Sequence, residues 1–264
     1  MYTFNYHKAT SALSAAALIG GKPDAKYLAG GQSLIATMKL RLAQPSDLID
    51  LAGAAELKGI NVEGDKLVIG AMATHAEVAV DAIVKTKFPA LAALAEMIGD
   101  RQVRNRGTIG GSLANNDPAA DWPAAALGAG ATIVTNKRSI AADDFFKGMY
   151  ETALQEGELI TAVHFPIPVK AAYMKFKQPA SRFAIVGVFV SQGTGGIRVA
   201  VTGASQSGVM RVKSMEDALA KSWSADAVNG VKVDAGNMNA DLHASAAYRA
   251  HLVTVMAARA VASA

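Results

Sequence analysis

The chain has 264 residues, enough to bury one full core or two modest lobes, and we expect two lobes. Charged residues make up 18% of it, and the net charge of +4 is spread without a basic stripe, which argues against a nucleic-acid partner. The absence of cysteine excludes disulfides, thiolate zinc sites, a cysteine nucleophile and any iron–sulfur cluster held by this chain alone.

The histidines and the N-terminus exclude further classes of protein. The five histidines show neither HxxxH nor HxH spacing, so the sequence predicts no metal site. The N-terminal segment lacks a basic start followed by an uninterrupted apolar stretch, so it does not match a secretory signal. No apolar run approaches the ~20 residues that cross a bilayer. We therefore expect a cytoplasmic protein without a membrane span.

The first predicted elements are a short strand and the segment that follows it. Residues 27–29 favour a strand that runs into a Gly-Gly turn, and Ser33 is placed to cap the next segment. A second strand is predicted at residues 66–72. After it, Thr74 and Glu77 form the capping-box pattern that begins a helix.

A buried amphipathic helix is predicted to begin at Pro89, with Gly99 just beyond its end. It leads into the stretch RNRGTIGGSLANNDPAAD, residues 104–121. The following residues predict a helical turn, a strand with a hairpin return, and a strand at residues 158–168 that two prolines stop.

The prolines suggest a domain boundary at residues 166–172. Beyond it, residues 182–190 and 196–204 favour a β-hairpin, and two helical patterns close the chain. We therefore predict an α+β protein. Its first domain spans residues 1–168, with sub-lobes of about 1–55 and 56–168, and the second spans residues 169–264.

Two glycine loops, AGGQS (residues 29–33) and TIGGS (residues 108–112), have the composition of phosphate-binding loops. Glycine lets the backbone approach a ligand closely, so successive N–H groups can converge on an anion. Each loop alone is more simply a tight turn, whereas two such loops together favour a diphosphate. Neither the GxGxxG dinucleotide motif after a strand nor the Walker pattern occurs, so any diphosphate is held in another way.

The stretches AGGQSLIATMKLRLAQPSDLIDL and IGDRQVRNRGTIGGSLANNDPAADWPAA resemble the FAD-binding medium subunit of the molybdenum hydroxylases, the group that contains carbon monoxide dehydrogenase and xanthine dehydrogenase. Later blocks extend the resemblance over nearly the whole chain. The sequence departs from many relatives at Gln32, where they carry histidine. It departs from some at Phe183, where they carry tyrosine, so a hydroxyl contact to the flavin is in doubt while ring stacking is retained.

The resemblance implies a two-lobed FAD-binding domain of the vanillyl-alcohol-oxidase type, followed by a C-terminal antiparallel sheet with helices. It implies that FAD is bound noncovalently and that no side chain of this chain acts as a catalytic acid or base. The positions that it implies to contact FAD are Leu28, Ala29, Gly30, Gly31, Gln32, Ser33, Leu34, Thr108, Ile109, Gly110, Gly111, Ser112, Asn115, Asp121, Ile160 and Lys177.

Several of these residues and their neighbours also have a purely structural interpretation. Asp121 can be a helix N-cap before Pro123. His75 follows Thr74 in the capping box, so a helix-start role is favoured over catalysis. Lys177 lies in KFKQ, whose two lysines share a face that is most often solvated, and only the resemblance singles it out.

The resemblance also implies partners. The molybdenum cofactor would lie on a large subunit and the iron–sulfur (2Fe–2S) clusters on a small one, and the three chains would form a dimer of heterotrimers. This chain would accept electrons from the clusters and pass them to an external acceptor. The alternatives are a self-sufficient FAD-dependent oxidase or reductase with its own substrate pocket, and a scaffold that has lost the cofactor. The substrate and the terminal acceptor stay open.

Overall fold

A computed structural model describes residues 1–264, and its N-terminal lobe is a small parallel sheet flanked by short helices. The central strand of this sheet pairs in parallel with the strand on either side. The lobe's elements, in chain order, are β1 (Asn5–Lys8), α1 (Ala12–Ile19), β2 (Lys26–Leu28), α2 (Leu34–Lys39), β3 (Asp47–Asp50) and a 3₁₀ turn (Ala55–Leu57). β3 is the central strand.

The middle lobe is a five-stranded antiparallel sheet, in the order β4-β5-β10-β6-β7, covered by helices. A two-stranded β8-β9 hairpin lies beside it. Its elements are β4 (Ile60–Glu63), β5 (Lys66–Gly70), α3 (His75–Val80), α4 (Ala82–Lys87), α5 (Pro89–Glu96), α6 (Arg101–Arg104), α7 (Ile109–Asn115), α8 (Asp121–Ala129), β6 (Thr132–Thr135), β7 (Ser139–Ala141), α9 (Ala142–Phe145), β8 (Phe146–Gly148), β9 (Glu151–Thr152) and β10 (Ile160–Pro166).

The C-terminal part is a four-stranded antiparallel sheet, in the order β11-β12-β13-β14, packed against a long helix. Its elements are β11 (Lys170–Lys177), β12 (Ala184–Gly193), β13 (Gly196–Thr202), β14 (Met210–Arg211), α10 (Lys213–Lys221), α11 (Ala225–Asn229) and α12 (Ala246–Ser263). The predicted α+β class and the C-terminal antiparallel sheet with helices are confirmed. None of the helices combines the length and the apolarity needed to cross a bilayer.

The apolar residues form three buried clusters, one for each part of the chain. The middle cluster also takes in Tyr173 of β11 and Phe189 of β12, so the C-terminal sheet packs directly on the middle lobe. Asp143 of α9 adds a polar link, because its carboxylate accepts hydrogen bonds from Arg198 at 2.8 and 3.1 Å and from Arg211 at 3.0 Å. The domain boundary near residue 168 stays a prediction.

Most of the predicted local signals are present, with small shifts. The Thr74–Glu77 capping box forms in full, and Pro89 occupies the first turn of α5. Ser33 stands at the N-cap of α2, but its side chain makes no capping hydrogen bond. Gly99 is left-handed, with φ of 51°, two residues after the Met97 C-cap rather than at the first position beyond it.

Candidate functional site

A cleft of about 470 Å³ opens where the three parts of the chain meet, within the range of small-molecule sites. Its walls come from segments within residues 26–34 of the N-terminal lobe, within 71–75, 98–121 and 154–160 of the middle lobe, and from 181–183 of the C-terminal part. A ligand lying along this cleft therefore contacts residues that are far apart in the sequence.

The loop between β2 and α2 is the most distinctive wall of the cleft. The N–H groups of residues 29–34 donate to no backbone carbonyl, whereas those of Ile35 and Thr37 donate to Gly31 and Ser33 within the first turns of α2. Gly31 turns the chain with φ of 72°. A run of adjacent N–H groups without backbone acceptors, beside a cleft, is the arrangement that binds an anion.

The structure brings the two glycine loops into direct contact. A Cβ atom on Gly30 would fall on the carbonyl oxygen of Arg106 and within 2.8 Å of the Gly107 Cα. A Cβ on Gly111 would lie 3.5 Å from the Ala29 side chain. Only glycine allows the backbones of residues 30 and 106–107 to approach this closely.

The second loop is not the amide cradle that its composition suggested. Residues 109–112 form the first turn of α7, which Thr108 caps by accepting the Gly111 N–H at 3.1 Å. The other N–H groups of this turn also have acceptors within the protein, which are Ala73 O for Ile109, Ala71 O for Gly110 and Thr108 O for Ser112. The prediction of free amides is therefore wrong here, because the turn uses them for folding.

Gly110 has a packing role in this turn. A Cβ there would lie 2.6 Å from the Ala71 side chain and 2.7 Å from the Ala71 carbonyl oxygen, so glycine lets α7 lie directly on the end of β5. Thr108 and Ser112 are among the residues that line the cleft, and both carry hydroxyls. What the loop offers a ligand is consequently side-chain hydroxyls on a rigid helical turn.

Asp121 lies on the cleft wall and is 4% exposed. It is the first residue of α8 and Ala120 is the N-cap, so the interpretation of Asp121 as an N-cap is wrong. Its carboxylate accepts hydrogen bonds from the Tyr173 hydroxyl at 2.5 Å and from Lys175 Nζ at 2.9 Å. Burial raises the pKa of Asp121, and the Lys175 ammonium opposes that shift.

Lys175 is the buried lysine of the KFKQ segment. Its side chain is 1% exposed, and besides Asp121 it donates to the Met97 carbonyl oxygen at 3.2 Å. Lys177 is exposed at the end of β11, beyond an irregularity in the pairing with β12 between Phe176 and Lys177. The expectation that both lysines face solvent is therefore wrong for Lys175.

The structure brings most of the predicted site residues to one cleft. Leu28, Ile109 and Lys177 are not among its lining residues. The Ile109 side chain points from α7 into the middle core and is fully buried. The predicted residues that line the cleft are Ala29, Gly30, Gly31, Gln32, Ser33, Leu34, Thr108, Gly110, Gly111, Ser112, Asn115, Asp121 and Ile160.

The other lining residues, apart from Phe183, carried no local sequence signal. Tyr27 donates to the Gly157 carbonyl oxygen at 2.9 Å, and burial raises its pKa to about 12. Glu158 is held by Arg138, which donates to both carboxylate oxygens at 3.0 Å, and this hydrogen bonding lowers the Glu158 pKa to about 2. Arg182, with φ of 63°, and Phe183, 49% exposed, form the edge contributed by the C-terminal part.

His75 begins α3, as the sequence favoured, and it also lines the cleft. It is 5% exposed, and its Nδ1 atom accepts a hydrogen bond from Trp122 Nε1 at 3.0 Å. Burial and, to a smaller extent, Arg104 lower the His75 pKa to about 4, so the ring is neutral near pH 7. The sequence could not signal this pairing, because the two residues are far apart along the chain.

The chain is similar to proteins of known function along most of its length. The medium chain of carbon monoxide dehydrogenase from Hydrogenophaga pseudoflava is 39% identical over 85% of this chain and 83% of that protein. The medium subunit of nicotine 6-hydroxylase from Paenarthrobacter nicotinovorans is 35% identical over 97% of this chain and 95% of that protein.

Solved structures give the same result. A carbon monoxide dehydrogenase from Hydrogenophaga pseudoflava that lacks the Mo-pyranopterin moiety matches with a TM-score of 0.87 and 36% identity, over 99% of this chain and 96% of that one. Quinoline 2-oxidoreductase from Pseudomonas putida 86 matches with a TM-score of 0.89 and 29% identity, over 100% of this chain and 97% of that one.

The family model described as "FAD binding domain in molybdopterin dehydrogenase" matches residues 2–168, which is more than half of the chain. These residues include both glycine loops and Asp121, on which the sequence resemblance depended. The chain therefore belongs to the family of FAD-binding domains of the molybdopterin dehydrogenases, as that resemblance predicted.

Proposed function

We propose that this chain is the FAD-binding electron-transfer subunit of a multi-subunit molybdenum hydroxylase. In this proposal it accepts electrons from the iron–sulfur clusters of a small partner chain and passes them to an external acceptor, while the substrate is oxidised on a large molybdenum subunit. The observation that carries the proposal is the run of N–H groups at residues 29–34 without backbone acceptors, at the cleft of a chain from an FAD-binding family.

The residues of the cleft fit FAD. The diphosphate needs hydrogen-bond donors that can approach it closely, and the loop at residues 29–34 supplies main-chain donors with Gly30 and Gly31 at its centre. Thr108 and Ser112 add hydroxyls beside that loop. The lining residues extend from Lys26 in the N-terminal lobe to residues 181–183 in the C-terminal part, so the cleft offers contacts from all three parts of the chain. We propose FAD contacts at the predicted residues that line it.

FAD, when bound, supplies a ring system that can store one or two electrons. The chain's own residues bind and orient it. Main-chain donors at residues 29–34 fix the diphosphate, and α7 and α8 form a rigid wall whose position the Thr108 cap and the Asp121–Lys175 ion pair secure. Phe183 at the exposed edge offers an aromatic face for stacking.

The ionisable groups that line the buried part of the cleft favour electron transfer over a substrate reaction of the chain's own. Asp121 is occupied by Tyr173 and Lys175, Glu158 by Arg138, and the His75 Nδ1 atom by Trp122. A self-sufficient oxidase or reductase needs an acid or base that is free to exchange a proton with its substrate. Both carboxylates and the basic Nδ1 atom of His75 are therefore already engaged inside the protein.

The partners follow from the relatives and from the composition. The relatives carry the names medium chain and medium subunit, which imply further chains in those enzymes. This chain has no cysteine to hold an iron–sulfur cluster. We therefore propose a large molybdenum-cofactor subunit and a small iron–sulfur subunit as partners, in a dimer of heterotrimers, with residues 1–168 as the FAD-binding domain.

The test is to express the chain alone and together with the products of the adjacent coding regions, and to record visible spectra and stoichiometry. We expect FAD that acid releases in both preparations, and its reduction by the substrate of the complex only when all three chains are present. Reduction of the isolated chain by a substrate would favour the self-sufficient enzyme. A chain that stays colourless in excess FAD would overturn the proposal.

A further inference from the structure

His75 places a hydrogen-bond donor at the cleft whose acceptor is not in the protein. The residue begins α3, and its backbone N–H donates to the Gly107 carbonyl oxygen at 2.9 Å, which fixes it against the segment leading to Thr108. His75 is among the residues that line the cleft, although it is only 5% exposed.

The bond with Trp122 determines which ring nitrogen carries the proton. The indole N–H of Trp122 can only donate, so the His75 Nδ1 atom that it contacts at 3.0 Å must be an unprotonated acceptor. A neutral imidazole carries a single N–H. In His75 that N–H is therefore at Nε2. Because burial and the Arg104 charge lower the pKa of this ring to about 4, the neutral form persists at neutral pH.

The Nε2 atom lies next to the backbone of Gly107, the residue before Thr108. A Cβ atom on Gly107 would lie 2.6 Å from Nε2, so the absence of a side chain at residue 107 is what gives the ring its room. Nε2 makes no hydrogen bond within the protein and is not among the fully enclosed polar atoms, so part of its surface is accessible. His75 as a residue is more than nine-tenths buried, and its Nε2–H without a protein acceptor is available to a ligand or to water.

We propose that the neutral imidazole of His75 donates its Nε2–H to an oxygen of bound FAD, on the diphosphate or on the ribityl chain that continues from it. Both moieties present oxygen acceptors, and the loop at residues 29–34 and the first turn of α7 line the same cleft as His75. His75 is thus a positioning and binding residue with a locked tautomer. The inference rests on the proposed function, because it requires FAD in this cleft.

The first experiment reads the tautomer directly. The chain is labelled with ¹⁵N-histidine, freed of flavin, and studied by long-range ¹H–¹⁵N NMR at pH 7. We expect His75 in the Nε2–H form before ligand is added, and a shift of the Nε2 and Hε2 signals with FAD. Titration with ADP and with riboflavin separates the sources, since ADP carries the diphosphate and riboflavin the ribityl chain.

The second experiment measures affinity with a matched pair of variants. His75→Gln keeps a donor near the Nε2 position, whereas His75→Asn keeps a polar group only near Nδ1. We expect FAD to bind about tenfold more weakly to His75→Asn, the effect of losing one hydrogen bond to an oxygen acceptor, and to bind His75→Gln nearly as well as the original chain. Flavin fluorescence gives the dissociation constants, and circular dichroism verifies folding.

The outcomes separate the two proposals. If the unaltered chain binds no FAD, the proposed function fails. If it binds FAD while the Nε2 signals stay unmoved by FAD, ADP and riboflavin, or if the ring is in the Nδ1–H form, only the role of His75 is wrong. Equal affinities for both variants and the original chain would also overturn that role. Should His75→Asn not fold, the NMR measurement on the unaltered chain decides.

Discussion

Gly31 and Gly21 have nearly the same left-handed backbone, with φ of 72° and 73°, but only Gly31 lies in the cleft. A Cβ on Gly31 would lie 2.8 Å from Ile35 Cδ1, whereas a Cβ on Gly21 meets nothing within 4 Å. Substituting each glycine in turn therefore distinguishes the cost of a left-handed backbone at a non-glycine residue from the contribution of the cleft loop to binding.

We expect Gly31→Ala to weaken FAD binding about tenfold, because the strained loop shifts its N–H groups away from the ligand. Gly21→Ala should lose about 1 kcal/mol of folding free energy in the same way, yet bind FAD unchanged. Fluorescence titration and urea unfolding check the two quantities. Equal losses of affinity in both variants would show that the loop's position does not matter.

The two lysines of β11 form a second matched pair. Lys175→Met leaves the buried Asp121 carboxylate without its charge partner, so we expect a loss of about 3–5 kcal/mol in the free energy of unfolding. Lys177→Met changes an exposed side chain and should cost less than about 0.5 kcal/mol. Urea unfolding of flavin-free protein measures both, and a similar small effect of the two substitutions would contradict the buried ion pair.

At the scale of elements, the TIGGS stretch shows that the surrounding core can determine whether a motif forms a loop or a helix. Thr108 followed by Gly111 reads equally well as a loop or as a capped helix start, since threonine favours both. The helix forms because Ile109 and Leu113 share a face that the middle core buries completely. Threonine at position 108 was therefore a helix-capping signal in the sequence, but the two glycines that follow it favoured the interpretation as a loop.

Hydrogen bonds of Glu158 connect the segment before β10 to the β6–β7 hairpin, and their contribution to stability should depend on pH. Its carboxylate accepts bonds from Arg138, Thr135 and the Gln155 N–H, and its pKa falls to about 2 from an ordinary value of 4.5. Below pH 4.5 the unfolded chain therefore binds a proton at this residue that the folded chain resists. Its stabilisation is present above pH 4.5 and is lost as the pH falls towards 2.

We expect Glu158→Gln to lose stability less steeply than the original chain between pH 4.5 and 2.5, because it lacks this titration. Glu156→Gln serves as the control, since its side chain is exposed. Chemical unfolding at several pH values within this window gives the slopes. Parallel slopes for all three proteins would mean that Glu158 titrates normally in the folded state.

At the scale of the whole molecule, the cleft exists only because three parts of the chain converge. Residues 29–34 come from the N-terminal lobe, α7 and α8 from the middle lobe, and residues 181–183 from the connection between β11 and β12. Packing of Tyr173 and Phe189 into the middle core, together with the Asp143 link, holds the third part in place.

FAD should therefore slow hydrogen exchange in all three parts at once. We expect the amides of residues 29–34 to be protected at least about tenfold, since they have no backbone acceptor in the ligand-free chain, with weaker protection at residues 107–115 and 181–183. Mass spectrometry with and without saturating FAD checks this. Protection restricted to one part of the chain would argue against a ligand that spans the cleft.

The sequence by itself determined several of the elements, and it determined the family. Apolar periodicity and capping residues act over a few positions, so the Thr74–Glu77 box, the Pro89 start of α5 and the β12–β13 hairpin were readable locally. The two glycine loops were specific enough to identify an FAD-binding family, and they do meet at one cleft.

Only the tertiary structure decided which donors and charged groups are free to contact a ligand. The burial of Lys175, the engagement of the TIGGS amides and the Trp122–His75 bond all depend on partners brought in from distant segments. A hydrogen bond or an ion pair acts over a few ångströms of space and not over sequence separation. The availability of a donor or a charge to a ligand is thus a property of the packed molecule.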